Sequence, residues 1–548
     1  MAGADSTGPL KRFVDELDVA VFVVGFAIAA AAVLAFVLRP DAASERMAAV
    51  NDVLWTTAGW WYLVAMFVLV AFVGFLIFGP WGNIKLGGDD ERPEFSFPAY
   101  FAMLYSAGIA AGIVFWGPAE AVFHYDTVSP FVGAEARSSE AAVGAIQYTF
   151  FHWGVSAWTA YVVMALPIAY YAYRYDAPLR ISTVIAPWVG LENLDGPLAK
   201  AIDVLAVFAT IGGVATTLGL VGSQFLVGIE WTTGASVGDA GTVAVITGLT
   251  VAFTLSVSLG IRKGIQRLSY FNMALFALVT VATFLLGPTT QIMSMGTQAL
   301  GAYVNDFITM SFYTGSGAAG GAGVSQWVGD WTIFYWAWWF SWTPFVGLFI
   351  ARISRGRTVR QVAVTGVIAS TGITVPWFAT MGGTAIFLQD SGRADILTIV
   401  GELGEAGSGY PLFEALPLGG LLTVLFLVLV TTFLVTSADS STLALGMLTT
   451  GGAEEPSTIN RVIWGALIGA LASLLMVTGG VDALQQAAII TGGPFSIIAL
   501  LAAVSMVAAC GARRPLFLRE EDDLSIGTSD LEATAPESET ESMDPSDD

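Results

Sequence analysis

Tryptophan is concentrated in one short stretch of this chain. Five of the twelve residues at positions 331–342 are tryptophans: Trp331, Trp336, Trp338, Trp339 and Trp342. Tryptophan normally marks the lipid–water interface of a membrane protein, but this cluster continues into an apolar segment of membrane-spanning length. Aromatic faces without nearby carboxylates suit a cation that cannot donate a strong hydrogen bond, such as a quaternary ammonium. Packing against neighbouring helices is the alternative interpretation.

Helical spacing assigns these rings to faces. Trp338, Trp342 and Phe345 follow the i, i+4, i+7 pattern and share one stripe of a helix. Trp339 lies about 100° away around the same helix.

A second aromatic group lies between residues 152 and 161. Trp158 and Tyr161 are three positions apart and share a helix face. Trp153 lies off that face by helical periodicity, so periodicity alone does not predict a three-ring site. An isolated aromatic pair is typical of packing, and we interpret His152 beside it as a hydrogen-bonded structural histidine.

Small residues occupy positions 106–112, which read Ser-Ala-Gly-Ile-Ala-Ala-Gly. In a membrane helix this pattern has two interpretations. One is close packing of helices, and the other is an unwound stretch whose free carbonyls bind an ion or a substrate. Glu120 follows at the outer end of the same segment, where we expect an interfacial or gate carboxylate rather than a substrate ligand.

Hydroxyl and carboxylate groups interrupt the apolar run 416–449. Residues 436–442 read Thr-Ser-Ala-Asp-Ser-Ser-Thr, and such groups are costly inside a membrane unless they have partners. Hydroxyl oxygens beside free carbonyls are hard ligands that suit Na⁺ better than a transition metal. The alternative for any single hydroxyl is a hydrogen bond back to its own helix.

Membrane helices must position all of these groups, and the composition predicts them. The 548-residue chain is 55% hydrophobic and 12% charged, whereas soluble domains carry about 25% charged residues. Apolar runs reach the roughly 20 residues of a transmembrane helix and are far longer than β-barrel strands. The single cysteine, Cys510, excludes an intrachain disulfide and a multi-cysteine metal site, and two histidines argue against a multi-haem subunit.

We predict an all-α polytopic membrane protein with twelve transmembrane helices. The spans are about 18–38, 55–79, 98–123, 141–174, 199–230, 241–260, 268–288, 328–352, 362–388, 416–449, 459–479 and 485–510. The gap 289–327 is predicted to hold a surface helix at about 294–312 and then a flexible, glycine-rich loop. With both termini in the cytoplasm, 18 of the 22 basic residues fall on cytoplasmic segments, as the positive-inside rule requires.

The ends of the chain and its charge carry further predictions. Residues 1–17 are predicted to be a cytoplasmic segment without a cleavable signal peptide, since the first apolar run is too long for one. Residues 511–548 are predicted to be an acidic, disordered cytoplasmic tail. The net charge of −22 with only four lysines favours a halophilic source, with binding of a partner by the acidic surface as the alternative.

Together these segments resemble the betaine/carnitine/choline transporter family. The resemblance rests on the eighth-span sequences at 330–339 and 341–347, the arginine-rich end at 351–357 and Val-Thr-Ser-Ala-Asp-Ser at 435–440. It implies a transporter domain over 18–510 with two extra helices and then two inverted five-helix repeats of LeuT-like type, at about 98–288 and 328–510. It also implies a homotrimer.

The resemblance assigns a substrate site. The implied substrate-binding residues are Trp153, Trp158, Tyr161 and Trp339 as an aromatic box, Trp338 and Trp342 along the substrate path, and Gly108 and Gly112 in the small-residue stretch. Choline-type members carry an aspartate where Gly112 stands, which favours betaine as the substrate.

The resemblance also assigns ion sites. In sodium-coupled members one Na⁺ lies between the third and tenth spans, and its ligands here would be backbone oxygens of Ser106, Ile109 and Phe433 and the hydroxyls of Thr436 and Ser437. Sodium-independent exchangers place a basic side chain at the cation site from the fifth span. Residues 201–230 contain no Lys or Arg, which favours Na⁺ coupling.

A second Na⁺ site of the family is only partly matched. It uses two threonines of the fifth span and an aromatic residue of the eighth. Thr210 and Phe345 match, but Val214 occupies the position of the second threonine. Thr216 or Thr217 is the candidate replacement.

The implied function is secondary active import of glycine betaine or a related quaternary-ammonium solute across the cell membrane, coupled to Na⁺, for osmoprotection. A choline or carnitine transporter or exchanger of the same family is the alternative, and a solute-binding membrane sensor is a more remote one. We expect no enzyme activity, since the sequence shows no metal-ligand cluster or nucleophile–base pair. We also expect no organic cofactor and no nucleic-acid partner.

Overall fold

The computed structural model of the chain describes residues 8–108, 110–258, 261–315 and 324–511. Within these ranges the chain forms helices and no β-strand, which confirms the predicted all-α class. The helices are α1 (Pro9–Glu16), α2 (Val19–Leu38), α3 (Pro40–Phe78), α4 (Phe97–Ala107), α5 (Ala110–Asp126), α6 (Ser139–Trp153), α7 (Val155–Tyr175), α8 (Ala186–Val189), α9 (Pro197–Thr233), α10 (Asp239–Ser258), α11 (Ile261–Leu286), α12 (Thr289–Ser311), α13 (Gln326–Val328), α14 (Phe334–Ile353), α15 (Val359–Ala363), α16 (Ser370–Asp390), α17 (Ile396–Leu403), α18 (Gly409–Glu414), α19 (Gly419–Thr449) and α20 (Thr458–Cys510). Two π-helical turns, Gly329–Ile333 and Val364–Ala369, lead into α14 and α16.

Ten of the described helical segments are long and apolar enough to cross a membrane, and the bent pair α4–α5 makes an eleventh. The chain is therefore a multi-pass membrane protein. One of the ten, α20, has 53 residues. A helix of this length extends about 80 Å, more than twice the roughly 30 Å hydrocarbon core. Its Gly480 has the non-helical angles φ 60° and ψ −144°.

Packing against α9 shows that the two halves of α20 run in opposite directions. Trp464 and Val207 both lie within 3.5 Å of a Cβ on Gly25, while Leu484 lies beside Gly219 and Thr491 beside Gly212. Along α20 the contact thus moves toward the C-terminal end of α9 and then returns. If its halves are counted as two spans the total is twelve, whereas length and composition alone give ten or eleven.

The helix that carries the tryptophan run lies at the centre of the bundle. The most apolar window of Gln326–Ile353 is 100% buried and that of Ser139–Tyr175 is 94% buried, against 22% for α2. Helices α6, α7 and α14 therefore form the interior, while helices such as α2 and α10 present apolar side chains outward, as lipid contact requires.

Two interior spans are broken at glycines. Phe97–Ala107 and Ala111–Asp126 meet at 61°, and Gly108 between them has ψ −144°. Helix α6 ends at Trp153, Gly154 has ψ −133°, and α7 begins at Val155. Of the two interpretations of residues 106–112, the structure supports the helix break.

Several predictions from the sequence concern other parts of the chain. The predicted surface helix corresponds to α12, which is not among the membrane-length apolar segments. Ile109, most of the predicted flexible loop and the acidic tail beyond Gly511 lie outside the described residues. The inverted repeats, the domain boundaries and the trimer stay predictions.

Candidate functional site

Four tryptophans of α6 and α14 form one aromatic wall: Trp153, Trp338, Trp339 and Trp342. Between ring centroids, Trp153 lies 4.9 Å from Trp339 and 6.1 Å from Trp338. Trp338 stacks on Trp339 at 5.0 Å and meets Trp342 edge-on at 6.0 Å. All four side chains are buried. Trp153 reaches this wall because α6 ends at the Gly154 break, which helical periodicity does not anticipate.

Backbone carbonyls fix the orientation of these rings. The Gly213 carbonyl of α9 accepts hydrogen bonds from Trp338 Nε1 at 3.3 Å and from Trp342 Nε1 at 3.0 Å. The His152 carbonyl accepts one from Trp339 Nε1 at 3.0 Å. The faces of the wall are therefore held in place by the protein itself, which lowers the ordering cost of binding.

The remaining predicted box residues, Trp158 and Tyr161, form a separate pair. Their centroids are 6.2 Å apart, and Trp158 also stacks on Tyr105 at 5.1 Å. Among the described residues, no direct ring contact joins this pair to the aromatic wall. Trp158 Nε1 and the Tyr161 hydroxyl are buried without a hydrogen-bond partner. Because unpaired buried donors are costly, they indicate a place for a polar ligand or water.

Both aromatic groups border the break between α4 and α5. A Cβ atom on Gly108 would lie 2.7 Å from the ring of Trp158. A Cβ on Gly112 would lie 3.0 Å from the ring of Trp338 and 3.1 Å from that of Trp153. The structure therefore places Trp153, Trp158 and Trp338 against the break, where the absence of a Cβ lets their rings approach the backbone.

A buried carboxylate lies behind the aromatic wall. Glu120 Oε2 accepts hydrogen bonds from Trp153 Nε1 at 2.5 Å and from the Tyr335 hydroxyl at 2.7 Å. Its Oε1 faces His152 Nδ1 at 2.7 Å and His124 Nε2 at 3.2 Å. Glu120 is 0% exposed. Glu120 therefore lies inside the protein with four hydrogen-bond partners, which the sequence did not predict, and its role as an interfacial or gate carboxylate stays a prediction.

The same residues correct the expectation that no metal-ligand cluster exists. Ligand atoms of Glu120, His124 and His152 lie within 4.8 Å of one another, and Glu and His are the donors that Zn²⁺ uses. The hydrogen bonds already explain the arrangement: the carboxylate has four hydrogen-bond partners, and His152 Nε2 is 3.0 Å from Thr332 Oγ1. We therefore interpret the cluster as a polar network rather than a metal centre.

Oxygen atoms of α4 and α19 converge where the sequence predicts Na⁺. Thr436 Oγ1 lies 3.3 Å from the Ser106 carbonyl oxygen and 2.8 Å from the Phe433 carbonyl oxygen. Ser437 Oγ lies 3.4 Å from the same Ser106 oxygen. Two hydroxyls and two carbonyls make a donor set that suits a hard cation. The fifth predicted ligand, Ile109, lies outside the described residues.

Asn272 of α11 belongs to this oxygen cluster, although the sequence did not point to it. Its Nδ2 donates to Thr436 Oγ1 at 3.2 Å and to the Thr432 carbonyl at 3.1 Å. Nothing in the local sequence marks it, because its partners are about 160 residues away.

The second predicted Na⁺ site has fewer available oxygens. Thr210 Oγ1 is buried without a partner, and the ring of Phe345 packs 5.1 Å from that of Trp342. Val214 contributes no side-chain oxygen. Thr216 and Thr217 donate their hydroxyl protons to carbonyl oxygens of α9 and α20. These bonds leave the oxygen lone pairs available, as at Thr436, so the replacement of the missing threonine by either residue stays a prediction.

A cavity of about 440 Å³ lies at the end of the bundle where α14 begins. It is lined by Asn51, Trp55, Gln326, Gly329, Asp330, Trp331, Phe334, Glu405, Asp482, Gln485, Gln486 and Ile489. Burial, with a further contribution from the negative charge of Asp482, raises the pKa of Glu405. Trp331 lines the cavity and packs with its centroid 4.4 Å from the His124 ring, so the cavity adjoins the network around Glu120.

Ion pairs close the opposite end of the bundle. Arg352 at the end of α14 pairs with Glu94, before α4, at 3.2 Å and with Glu454, after α19, at 3.2 Å. Arg355 pairs with Glu91. The arginine-rich sequence therefore connects three segments that are distant in the chain.

Comparisons with known proteins agree with this architecture. The family model described as BCCT, betaine/carnitine/choline family transporter, matches residues 20–514. The glycine betaine transporter OpuD of Bacillus subtilis (strain 168) is 40% identical, over 90% of this chain and 94% of its own length. The probable glycine betaine transporter of Desulfitobacterium hafniense (strain Y51) is 36% identical, over 92% of this chain and 99% of its own. The ectoine/hydroxyectoine transporter of Virgibacillus pantothenticus is 40% identical, over 81% of this chain and 86% of its own.

Proposed function

The chain belongs to the betaine/carnitine/choline family of transporters, and from that premise we propose that it imports glycine betaine or a related quaternary-ammonium solute together with Na⁺. Its role is transport rather than catalysis. We place the transporter in the cell membrane with both termini in the cytoplasm, so the cavity beside Trp331 faces outward and the Arg352 ion pairs face inward.

The aromatic wall beside the helix break is the observation that carries the proposal. A trimethylammonium group has no N–H to donate, so its binding depends on ring faces, each contributing roughly 0.5–2 kcal/mol. Trp158 Nε1 and the Tyr161 hydroxyl lack partners, and the opposite edge of the Trp158 ring lies against the same break. They supply donors for the carboxylate of a zwitterion.

Na⁺ coupling rests on the oxygen cluster between α4 and α19. Ser106 lies two residues before Gly108, where α4 gives way to the break. An ion held by Ser106, Thr436 and Ser437 would therefore fix the backbone that forms one side of the substrate site. Fixing it first raises the affinity for substrate, and by linkage substrate raises the affinity for Na⁺ by the same factor.

Ectoine is a second candidate substrate, because the ectoine/hydroxyectoine transporter is as similar in identity as OpuD is. Choline and carnitine are two further candidate substrates.

A competition assay distinguishes these substrates. Uptake of labelled glycine betaine by the purified protein in proteoliposomes is measured with each unlabelled solute added in equal excess. We expect betaine itself to compete best. Stronger competition by choline, carnitine or ectoine would reassign the substrate, and binding without counterflow would favour a sensor.

A further inference from the structure

The indole of Trp153 lies between the Glu120 carboxylate and the helix break. Its N–H edge donates to Glu120 Oε2 at 2.5 Å. The opposite edge of the same ring, at Cη2, would lie 3.1 Å from a Cβ on Gly112. One side chain thus connects a fully buried carboxylate with the place where the substrate is proposed to bind.

The hydrogen bonds around Glu120 require its Oε2 to be an acceptor. Trp153 Nε1 and the Tyr335 hydroxyl both donate to this oxygen. At Oε1, His152 Nδ1 and His124 Nε2 are each a donor or an acceptor according to the tautomer, so any proton of the acid lies on the histidine side. Hydrogen bonds to a charged acceptor are also the stronger ones.

The carboxylate has two different sides. Both histidines lie at Oε1, whereas Oε2 faces only the neutral groups of Trp153 and Tyr335. A proton shared with a histidine therefore leaves the negative end of the network directed at the indole. In a buried site such a charge is weakly screened, and it reinforces the negative face that the ring presents to a cation.

We propose that Glu120 is a positioning residue that gives the aromatic wall its selectivity for positive charge, acting through Trp153 without touching the substrate. This inference rests on the proposed function. A quaternary ammonium gains nothing from a carboxylate as a hydrogen-bond acceptor, because it has no N–H. A carboxylate covered by an indole offers negative potential and leaves an apolar face for the methyl groups.

The test compares two ligands of the same shape. Glycine betaine and 3,3-dimethylbutyrate differ in one atom, the quaternary nitrogen of the first being a neutral carbon in the second. Inhibition constants of both are measured against labelled betaine in the wild type and in Glu120→Gln, which keeps the size of the side chain and removes its charge. We expect the preference for betaine to fall about tenfold in the variant, while the constant for the neutral isostere changes less than about twofold.

Matched variants separate charge from structure. Glu140→Gln removes an exposed carboxylate of α6 and is expected to leave the preference unchanged. Tyr335→Phe removes one hydrogen bond to Glu120 Oε2 but keeps the charge, so the preference is expected to survive even if both constants rise. Trp153→Phe removes the indole N–H that donates to Glu120 Oε2 and is expected to lower the preference for betaine. This variant keeps the proposal testable if Glu120→Gln does not fold.

Distinct results overturn distinct claims. If Glu120→Gln weakens the binding of both ligands by the same factor, or of neither ligand, the proposal for Glu120 is wrong. The proposal is also wrong if the preference for betaine is unchanged in Trp153→Phe. If the wild type itself does not prefer betaine to its neutral isostere, the proposed recognition of a quaternary ammonium fails instead.

Discussion

Trp339 is the central ring of the aromatic wall. It stacks on Trp338 at 5.0 Å, lies 4.9 Å from Trp153, and donates its N–H to the His152 carbonyl. Its side chain is 0% exposed. A ring in this position both builds the wall and holds its neighbours.

Replacing Trp339 with leucine is predicted to raise the KM for glycine betaine by about twofold to thirtyfold. This range corresponds to loss of one cation–π contact of roughly 0.5–2 kcal/mol, and loss of packing adds to it. Uptake kinetics in proteoliposomes measure the change. Trp188→Leu is the control, because Trp188 is 48% exposed and is not part of the aromatic wall. An unchanged KM in Trp339→Leu would contradict the aromatic site.

Thr436→Val is predicted to raise the Na⁺ concentration for half-maximal uptake about tenfold or more. The variant keeps the shape of the side chain and removes one oxygen near the Ser106 and Phe433 carbonyls. Interactions with a charged partner are worth about 1.5–3 kcal/mol. Thr431→Val is the matched control on α19, since its hydroxyl only bonds the Leu427 carbonyl of its own helix. Equal shifts in the two variants would argue against an ion at Thr436.

The individual residues differ in how far the sequence predicts them. Thr436 and Ser437 are recognisable because hydroxyls in an apolar span need a reason to be there. The hydrogen-bond network of Glu120 was not predicted, because most of its partners come from other helices: Trp153 is 33 residues away and Tyr335 is 215 residues away. The four-residue spacing of Glu120 and His124 was the available signal, since it places both groups on one helix face.

Helix breaks are the part of the fold that composition leaves ambiguous. Small residues at 106–112 fit either a packing face or an unwound turn, because glycine permits both. Helical periodicity correctly separated Trp153 from Trp158 and Tyr161, but it did not predict the break at Gly154 between α6 and α7. The long regular spans were predictable, since apolar length alone identifies them.

The direction of α20 provides a prediction about topology. Single cysteines at Glu455 and Asp482, both exposed, are introduced into a Cys510→Ser background and labelled in intact cells with an impermeant maleimide. If the first half of α20 crosses the membrane, only the Asp482→Cys protein is labelled, because position 455 faces the cytoplasm. A tag at the C-terminus is expected on the same side as position 455. Labelling of both cysteines from outside would show that the first half of α20 does not cross the membrane, and the count of twelve spans would then be wrong.

The two ends of the bundle differ in a way that suits alternating access. Acidic residues line the cavity beside Trp331, where negative charge raises the local concentration of cations. The other end is held by Arg352 with Glu94 and Glu454. In the proposed orientation this end faces the cytoplasm, and we expect inward opening to separate some of these partly exposed pairs, which are individually weak and therefore suited to repeated breaking.

Uptake of labelled glycine betaine into proteoliposomes under an imposed Na⁺ gradient tests the central claim most directly. We predict rapid accumulation above the external concentration when Na⁺ is high outside and low inside, and none when K⁺ replaces Na⁺ or an ionophore collapses the gradient. The aromatic site and the oxygen cluster would then act in one transport cycle. Betaine uptake that is the same with K⁺ as with Na⁺ would contradict the coupling, and no betaine uptake in either salt would contradict the proposed function.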